Sequence, residues 1–142
     1  PSTSSAASDV YKRQVDAKKN ISRITIVTTG TPQVIDQIKL QLKKLVPVHK
    51  VADFKRDDRG VIFKEMALFK VVGNTSKIKK AINACKKYNA VILDKTKKSN
   101  VIQITALRRE IDKMAKNLKK FGLVSISRTG AVAMTRGDKV FN

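Results

Sequence analysis

The side chains that could act as nucleophile, base or ligand are few: one histidine, one cysteine and eleven Asp or Glu in 142 residues. His49 lies beside Lys50 in a strand-like stretch, with no cysteine or carboxylate at a ligand's spacing. A partly exposed strand histidine is the better reading than a base or a metal ligand. Cys85 falls on the apolar stripe of a predicted helix, where a thiol acts as a small apolar filler. Asp57-Asp58 is flanked by Arg56 and Arg59, which makes a solvated loop a better reading than a cation site. No Gly-x-x-x-x-Gly-Lys-Ser/Thr phosphate loop is present, and no Gly-x-Gly-x-x-Gly follows a strand. No catalytic residue, metal or cofactor is therefore expected. What remains is Arg128-Thr129-Gly130 and Arg136-Gly137, where guanidinium groups stand beside flexible glycines. These five residues are expected to meet an acidic surface on a partner, although an ordinary polar tail explains them nearly as well.

The charge balance points the same way without deciding it. Thirty-one Lys and Arg against eleven Asp and Glu give a formal +20, so nucleic acid or an acidic partner surface has to be weighed. Twenty-three of these cations are lysines. Runs such as Lys77, Lys79, Lys80, Lys86 and Lys87 interleave with apolar residues at helical spacing, the pattern of a solvated helix face. No apolar window reaches the roughly 18 residues of a membrane span. A single cysteine excludes an internal disulfide and fits a reducing compartment.

The elements that must position these residues centre on 64–128. Met66–Val72 is strand-like, with Met66 and Leu68 on one face and Ala67, Phe69 and Val71 on the other. Gly73-Asn74-Thr75-Ser76 supplies a turn and a helix cap. Ile78, Ala81, Ile82, Cys85 and Tyr88 follow at helical spacing. Ala90–Thr96 and Val101–Ala106 read as strands about a turn at Lys97-Lys98-Ser99-Asn100. A second helix carries Leu107, Ile111, Met114, Ala115, Leu118 and Phe121, and Val124–Arg128 closes the unit. The order β-α-β-β-α-β predicts an α+β, ferredoxin-like domain.

The preceding residues look like half of such a unit. Ser22–Thr29 is β-branched and strand-like; Thr31-Pro32 starts a helix with Val34, Ile35, Ile38, Leu42 and Leu45 on its stripe. Pro47 ends that helix, and Val48–Phe54 reads as a last strand. Residues 1–20 open on a Ser/Ala-rich run without hydrophobic period, read as a disordered or non-native leader that takes no part in the fold. The expected division is leader 1–20, partial domain 21–54, charged linker 55–63 and complete domain 64–142. A lone β-α-β cannot cover its own apolar face, so a chain lacking the start of its first domain is expected.

Several stretches resemble one family. Ser22-Arg23-Ile24-Thr25-Ile26-Val27, Gly30, Val34-Ile35-Asp36-Gln37-Ile38 and Gln41-Leu42-Lys43-Lys44-Leu45-Val46, with Val48 and Val51, resemble the regulatory small subunit of acetolactate synthase. Glu65-Met66-Ala67-Leu68-Phe69-Lys70-Val71 is similar to that family's entry into its second domain, and the run from Ser127 to Lys139 to its closing segment. The resemblance implies an ACT domain, here incomplete, before the ferredoxin-like domain. It further implies a non-catalytic partner for a thiamine-diphosphate-dependent catalytic large subunit, a homodimer formed through ACT domains, and a branched-chain amino acid effector in the full-length form. The family's glycine-containing effector loop has no counterpart in these residues, so no effector-binding residue is assigned.

A rival class shares the same element order. RNA-recognition motifs stack bases on aromatic residues of their central strands. Val101–Ala106 has no aromatic and Met66–Val72 offers Phe69 alone, so specific nucleic-acid binding is not expected. A basic ribosomal-type protein is the remaining alternative on composition.

Overall fold

A computed structural model describes residues 12–16, 21–138 and 140 of the chain. The complete unit begins at β3 (Val61–Val72) and continues through α2 (Thr75–Cys85), β4 (Val91–Lys95), β5 (Ser99–Ala106), α3 (Arg108–Leu118) and β6 (Leu123–Thr135). Before it stand β1 (Lys12–Asp16), β2 (Ile21–Thr25) and α1 (Pro32–Lys43). The four-stranded sheet has the order β4-β5-β3-β6, with every neighbouring pair antiparallel. This is the split β-α-β arrangement of the ferredoxin-like fold.

The alternation of β3 divides the two faces. Ala67, Phe69 and Val71 are fully buried, as are Ile102 from β5, Ile111 and Leu118 from α3, and Ala81 and Cys85 from α2. They form one core between the sheet and both helices. Area removed from water at roughly 25 cal/mol per Å² makes this cluster the main source of the unit's stability. Local chemistry fixes the helix ends. Asn74 Oδ1 accepts the Lys77 amide at 2.8 Å, and a Glu110 carboxylate oxygen accepts the Leu107 amide at 3.2 Å. After α3 the chain reverses at Gly122, whose φ is +89°. A Cβ there would lie 2.1 Å from the Val72 carbonyl oxygen, so only glycine fits. Its own carbonyl accepts the Val72 amide at 2.8 Å.

Both long strands exceed their expected bounds. β3 begins at Val61, inside the stretch expected to be linker, and β6 runs to Thr135 instead of stopping at Arg128. The two extensions pair with each other, Val61↔Thr135 through Glu65↔Ala131, and the Arg136 amide donates to the Gly60 carbonyl at 2.8 Å. Val61-Ile62-Phe63 is a strong strand former; its charged approach, 55–60, made it read as linker.

The amino-terminal elements differ more. β1 pairs antiparallel with β2, Lys12↔Thr25 to Asp16↔Ile21, although residues 1–20 were expected to stay outside the fold; residues 1–11 and 17–20 lie outside the described residues. The pairing mirrors that of β4 with β5. β2 pairs over Ile21–Thr25 with the five described residues of β1. Val48–Phe54 forms no strand, since no described strand lies beside it to complete a ladder. Instead Asp53 binds Lys39 of α1 at 3.0 Å. That hydrogen bond holds the exposed Asp53 carboxyl below its usual pKa and raises that of Lys39. α1 is capped as its sequence demands, with Thr31 Oγ1 accepting the Val34 amide at 3.3 Å. Yet none of its residues is buried.

Candidate functional site

The five residues singled out as partner contacts all fall on β6 or just past it, but they do not converge. Eight residues of extended chain separate Arg128 from Arg136, on the order of 25 Å. Thr129 and Gly130 lie where the β3–β6 register shifts between Glu65 and Ala67. Gly130 has φ +79°, the conformation that lets a bulge insert a residue. Thr129 Oγ1 accepts the Met66 amide at 3.1 Å, which ties the bulge to β3.

That bulge aims Arg128 inward. Its Nη2 reaches Glu65 Oε2 at 2.6 Å and its Nη1 reaches Asp112 Oδ1 at 2.5 Å, joining β6, β3 and α3. Glu65 is buried, with 4% of its surface exposed, and Arg128 pairs with its carboxylate. Partial burial lowers the guanidinium's pKa, but the hydrogen bonds and charges of Glu65 and Asp112 outweigh it and leave the pKa raised. Arg128 is thus ion-paired within the chain while the residue itself remains exposed. Arg136 and Gly137 are exposed and present the outward end of this strand.

The other reactive groups stay apart. His49 is exposed in the irregular segment after α1. Cys85 is fully buried, and burial pushes its thiol up to about 11. Asp58 Oδ1 accepts the Gly60 amide at 2.8 Å and shapes the turn before β3. Among the described residues, no three His, Cys, Asp or Glu side chains gather to hold a metal ion.

Two functional groups were missed from sequence. Glu65 shares its parity with Ala67, Phe69 and Val71, and a carboxylate on the core face has to find a cation. Asn100 was read as a turn residue, but β5 begins at Ser99 and Asn100 is 1% exposed. Counting back by two from Ile104 and Ile102 would have placed it on the core face.

The sheet face away from the helices carries Met66, Leu68 and Lys70 from β3 and Val101, Gln103 and Thr105 from β5. None is aromatic, and Phe69, the aromatic left open as a stacking group, is 0% exposed on the opposite face. The stacking platform of an RNA-recognition motif is not formed there.

Comparison with known proteins adds the decisive observation: residues 64–137 match the family model described as the small subunit of acetolactate synthase. The chain belongs to the acetolactate synthase small-subunit family. It is 30% identical to the acetolactate synthase small subunit of Mycobacterium bovis over 121 residues, covering 85% of this chain and 71% of that protein. It is 31% identical over 122 residues to acetolactate synthase small subunit 1, chloroplastic, of Nicotiana plumbaginifolia, covering 86% of this chain and 27% of that one. The crystal structure of the Thermotoga maritima small subunit superposes with a TM-score of 0.78 at 28% identity, over 92% of this chain and 80% of that chain. The matched segment begins at Lys64, the fourth residue of β3, and ends two residues beyond β6. No helix among the described residues is long and apolar enough to cross a membrane.

Proposed function

We propose that this small-subunit chain is a non-catalytic regulator that docks on the thiamine-diphosphate-dependent catalytic subunit of acetolactate synthase and raises its activity. The observation that supports it best is the match of residues 64–137 to the family over a unit whose reactive side chains serve structure: Cys85 fills core, Glu65 and Arg128 tie strands to a helix. Docking acts by binding the active arrangement of the large subunit more tightly than the inactive one. A coupling of about 1–3 kcal/mol would give 5- to 150-fold stimulation. The outward end of β6, with Arg136 and Gly137, is the contact surface. Arg128, Thr129 and Gly130 set its twist and position from behind.

In the full-length form the first domain pairs with a second copy through ACT domains and transmits a branched-chain amino acid signal as feedback inhibition. The stripe of α1, exposed at Val34 and half-buried at Ile35, Ile38 and Leu42, is in keeping with such pairing. The compartment is the cytoplasm or the plastid stroma, the latter supported by the chloroplastic relative.

The test is acetolactate formation from pyruvate by the chain alone, by a cognate catalytic subunit alone, and by both together. The chain alone should give none, and the mixture should exceed the catalytic subunit. Arg136→Glu should shift the stimulation curve to higher concentration, with the shift shrinking as salt rises. Turnover by the pure chain, or a catalytic subunit that neither binds it nor responds, would overturn the reading.

A further inference from the structure

Charge is distributed one-sidedly in the complete unit. Residues 64–137 hold 18 Lys or Arg and four Asp or Glu. Three of those four carboxylates are engaged inside the chain: Glu65 and Asp112 with Arg128, and Glu110 with the Leu107 amide. The fourth, Asp94, lies on β4. The outward side of α3 is the extreme case. Arg109, Lys113, Lys116 and Lys120 follow at spacings of four, three and four, opposite the buried Ile111, Met114 and Leu118. All four are exposed, and together they make a cationic stripe about 16 Å long. On the same side of the sheet α2 presents Lys77, Lys79 and Lys80, and no carboxylate stands anywhere in that helix.

This arrangement works against the helix that carries it. Like charges three or four residues apart repel on a helix surface. Arg108 and Arg109 also stand in the first turn of α3, where the macrodipole favours carboxylates. Among the described residues, none of the four stripe cations is joined to a carboxylate. A merely solvated face interleaves both signs, as α1 does with Asp36 and Lys39. A face of one sign attracts an acidic surface from a distance and excludes a basic one. A second copy of this chain would bring the same cations to this face and be repelled. Nucleic acid fits the charge, but the face offers no free ring for a base. Tyr88 and Phe121 are half-buried, and Lys87 Nζ and Lys120 Nζ lie over them, 5.1 and 5.2 Å from the ring centroids. What fits is a protein surface rich in Asp and Glu.

We propose that the outward face of the two helices, centred on Arg109, Lys113, Lys116 and Lys120, docks on a carboxylate-rich patch of the catalytic subunit. This rests on the docking function proposed above and extends its contact surface from the end of β6 onto α3. The two parts are continuous. Ala106, which leads into α3, pairs with Glu65, and past Glu65 the sheet runs on as the β3–β6 extension that ends next to Arg136. Exposed cations act through long-range attraction more than through tight pairs, so the stripe sets the approach and orientation of the partner. Arg128 takes no part, because its guanidinium is engaged by Glu65 and Asp112.

The experiment titrates a cognate catalytic subunit with the full chain and with a variant carrying Arg109→Gln, Lys113→Gln, Lys116→Gln and Lys120→Gln, read by fluorescence anisotropy. Half-saturation should rise about tenfold in the variant at roughly 50 mM salt, and less than about twofold at roughly 500 mM. The variant should resist denaturant at least as well as the parent, because only exposed like charges are removed. Lys113→Arg with Lys116→Arg and Lys120→Arg keeps the charge and should bind as the parent does. A folded glutamine variant with the parent's half-saturation and salt dependence would overturn this inference alone. A parent that fails to bind the catalytic subunit would overturn the docking function, and this surface with it. Salt-resistant binding of one single-stranded RNA, lost in the glutamine variant, would assign the stripe to nucleic acid and also overturn the proposal.

Discussion

Two helices of nearly equal length show how differently the same kind of sequence can be used. α1 and α3 both carry a well-spaced apolar stripe between polar residues. In α3 that stripe is buried at Ile111, Met114 and Leu118; in α1 no residue is buried, Val34 keeps 47% of its surface in contact with solvent, and Ile35, Ile38 and Leu42 are half-buried. The difference lies in what each helix finds opposite it. α3 meets a four-stranded sheet and a second helix, whereas beside α1 the described residues offer one two-stranded ribbon. Periodicity says which face of a helix wants burial; only the neighbouring elements decide whether burial is obtained.

The widest way to break the comparison is to truncate one apolar residue in each region. Phe69→Ala should cost about 4 kcal/mol, because it opens a cavity in a closed core. Val34→Ala should stay within about 0.5 kcal/mol, as for exposed positions generally. Denaturant unfolding followed by circular dichroism measures both, and similar losses would erase the distinction.

A smaller effect is expected at the strand–helix tie. Arg128→Met leaves the buried Glu65 carboxylate without its cation and should cost about 3 kcal/mol. Pairing it with Glu65→Leu should restore most of that loss. If Arg128→Met were neutral in the same unfolding assay, Arg128 would return to being a free surface cation.

The sharpest local probe is Cys85. Its folded-state pKa of about 11 stands above the ordinary thiol value of 9.0. Below pH 9 both states hold the proton and stability does not depend on this group. Between pH 9 and 11 the unfolded chain releases the proton first, so stability falls as pH rises. Cys85→Ala should remove that part of the slope. In the native chain the thiol should resist aqueous thiol reagents at pH 8, where it is both protonated and covered; rapid labelling without unfolding would contradict its placement in the core.

Most of the carboxy-terminal unit was legible in the sequence because its local signals agree with its global fold. Parity in β3, helical spacing in α2 and α3, and the turn residues Gly73 and Asn74 all specify the same sheet. The missed features share one cause, a dependence on partners far away in the chain. β6 continues past Arg128 because Val61–Glu65 lies beside it. Glu65 and Asn100 are polar residues on a core face that only pairing reveals. Val48–Phe54 has strand-like composition but no ladder to join, and Lys12–Asp16 has little strand character of its own yet finds an open edge in β2. Arg128 and Arg136 looked alike in sequence, each close to a glycine; the structure sets one against Glu65 and Asp112 and places the other just past the end of β6.

The central claim, that 61–135 stands by itself while 21–54 lacks most of its burial, is tested most directly by native-state hydrogen exchange on dilute chain. The ladder amides of Val101–Ile104 should exchange only through near-global unfolding. Those of Ser22–Thr25 should exchange orders of magnitude faster and gain protection as the chain concentration rises, because an open strand edge and an uncovered helix stripe favour self-association. Equal, concentration-independent protection of Ser22–Thr25 and Val101–Ile104 would contradict the claim.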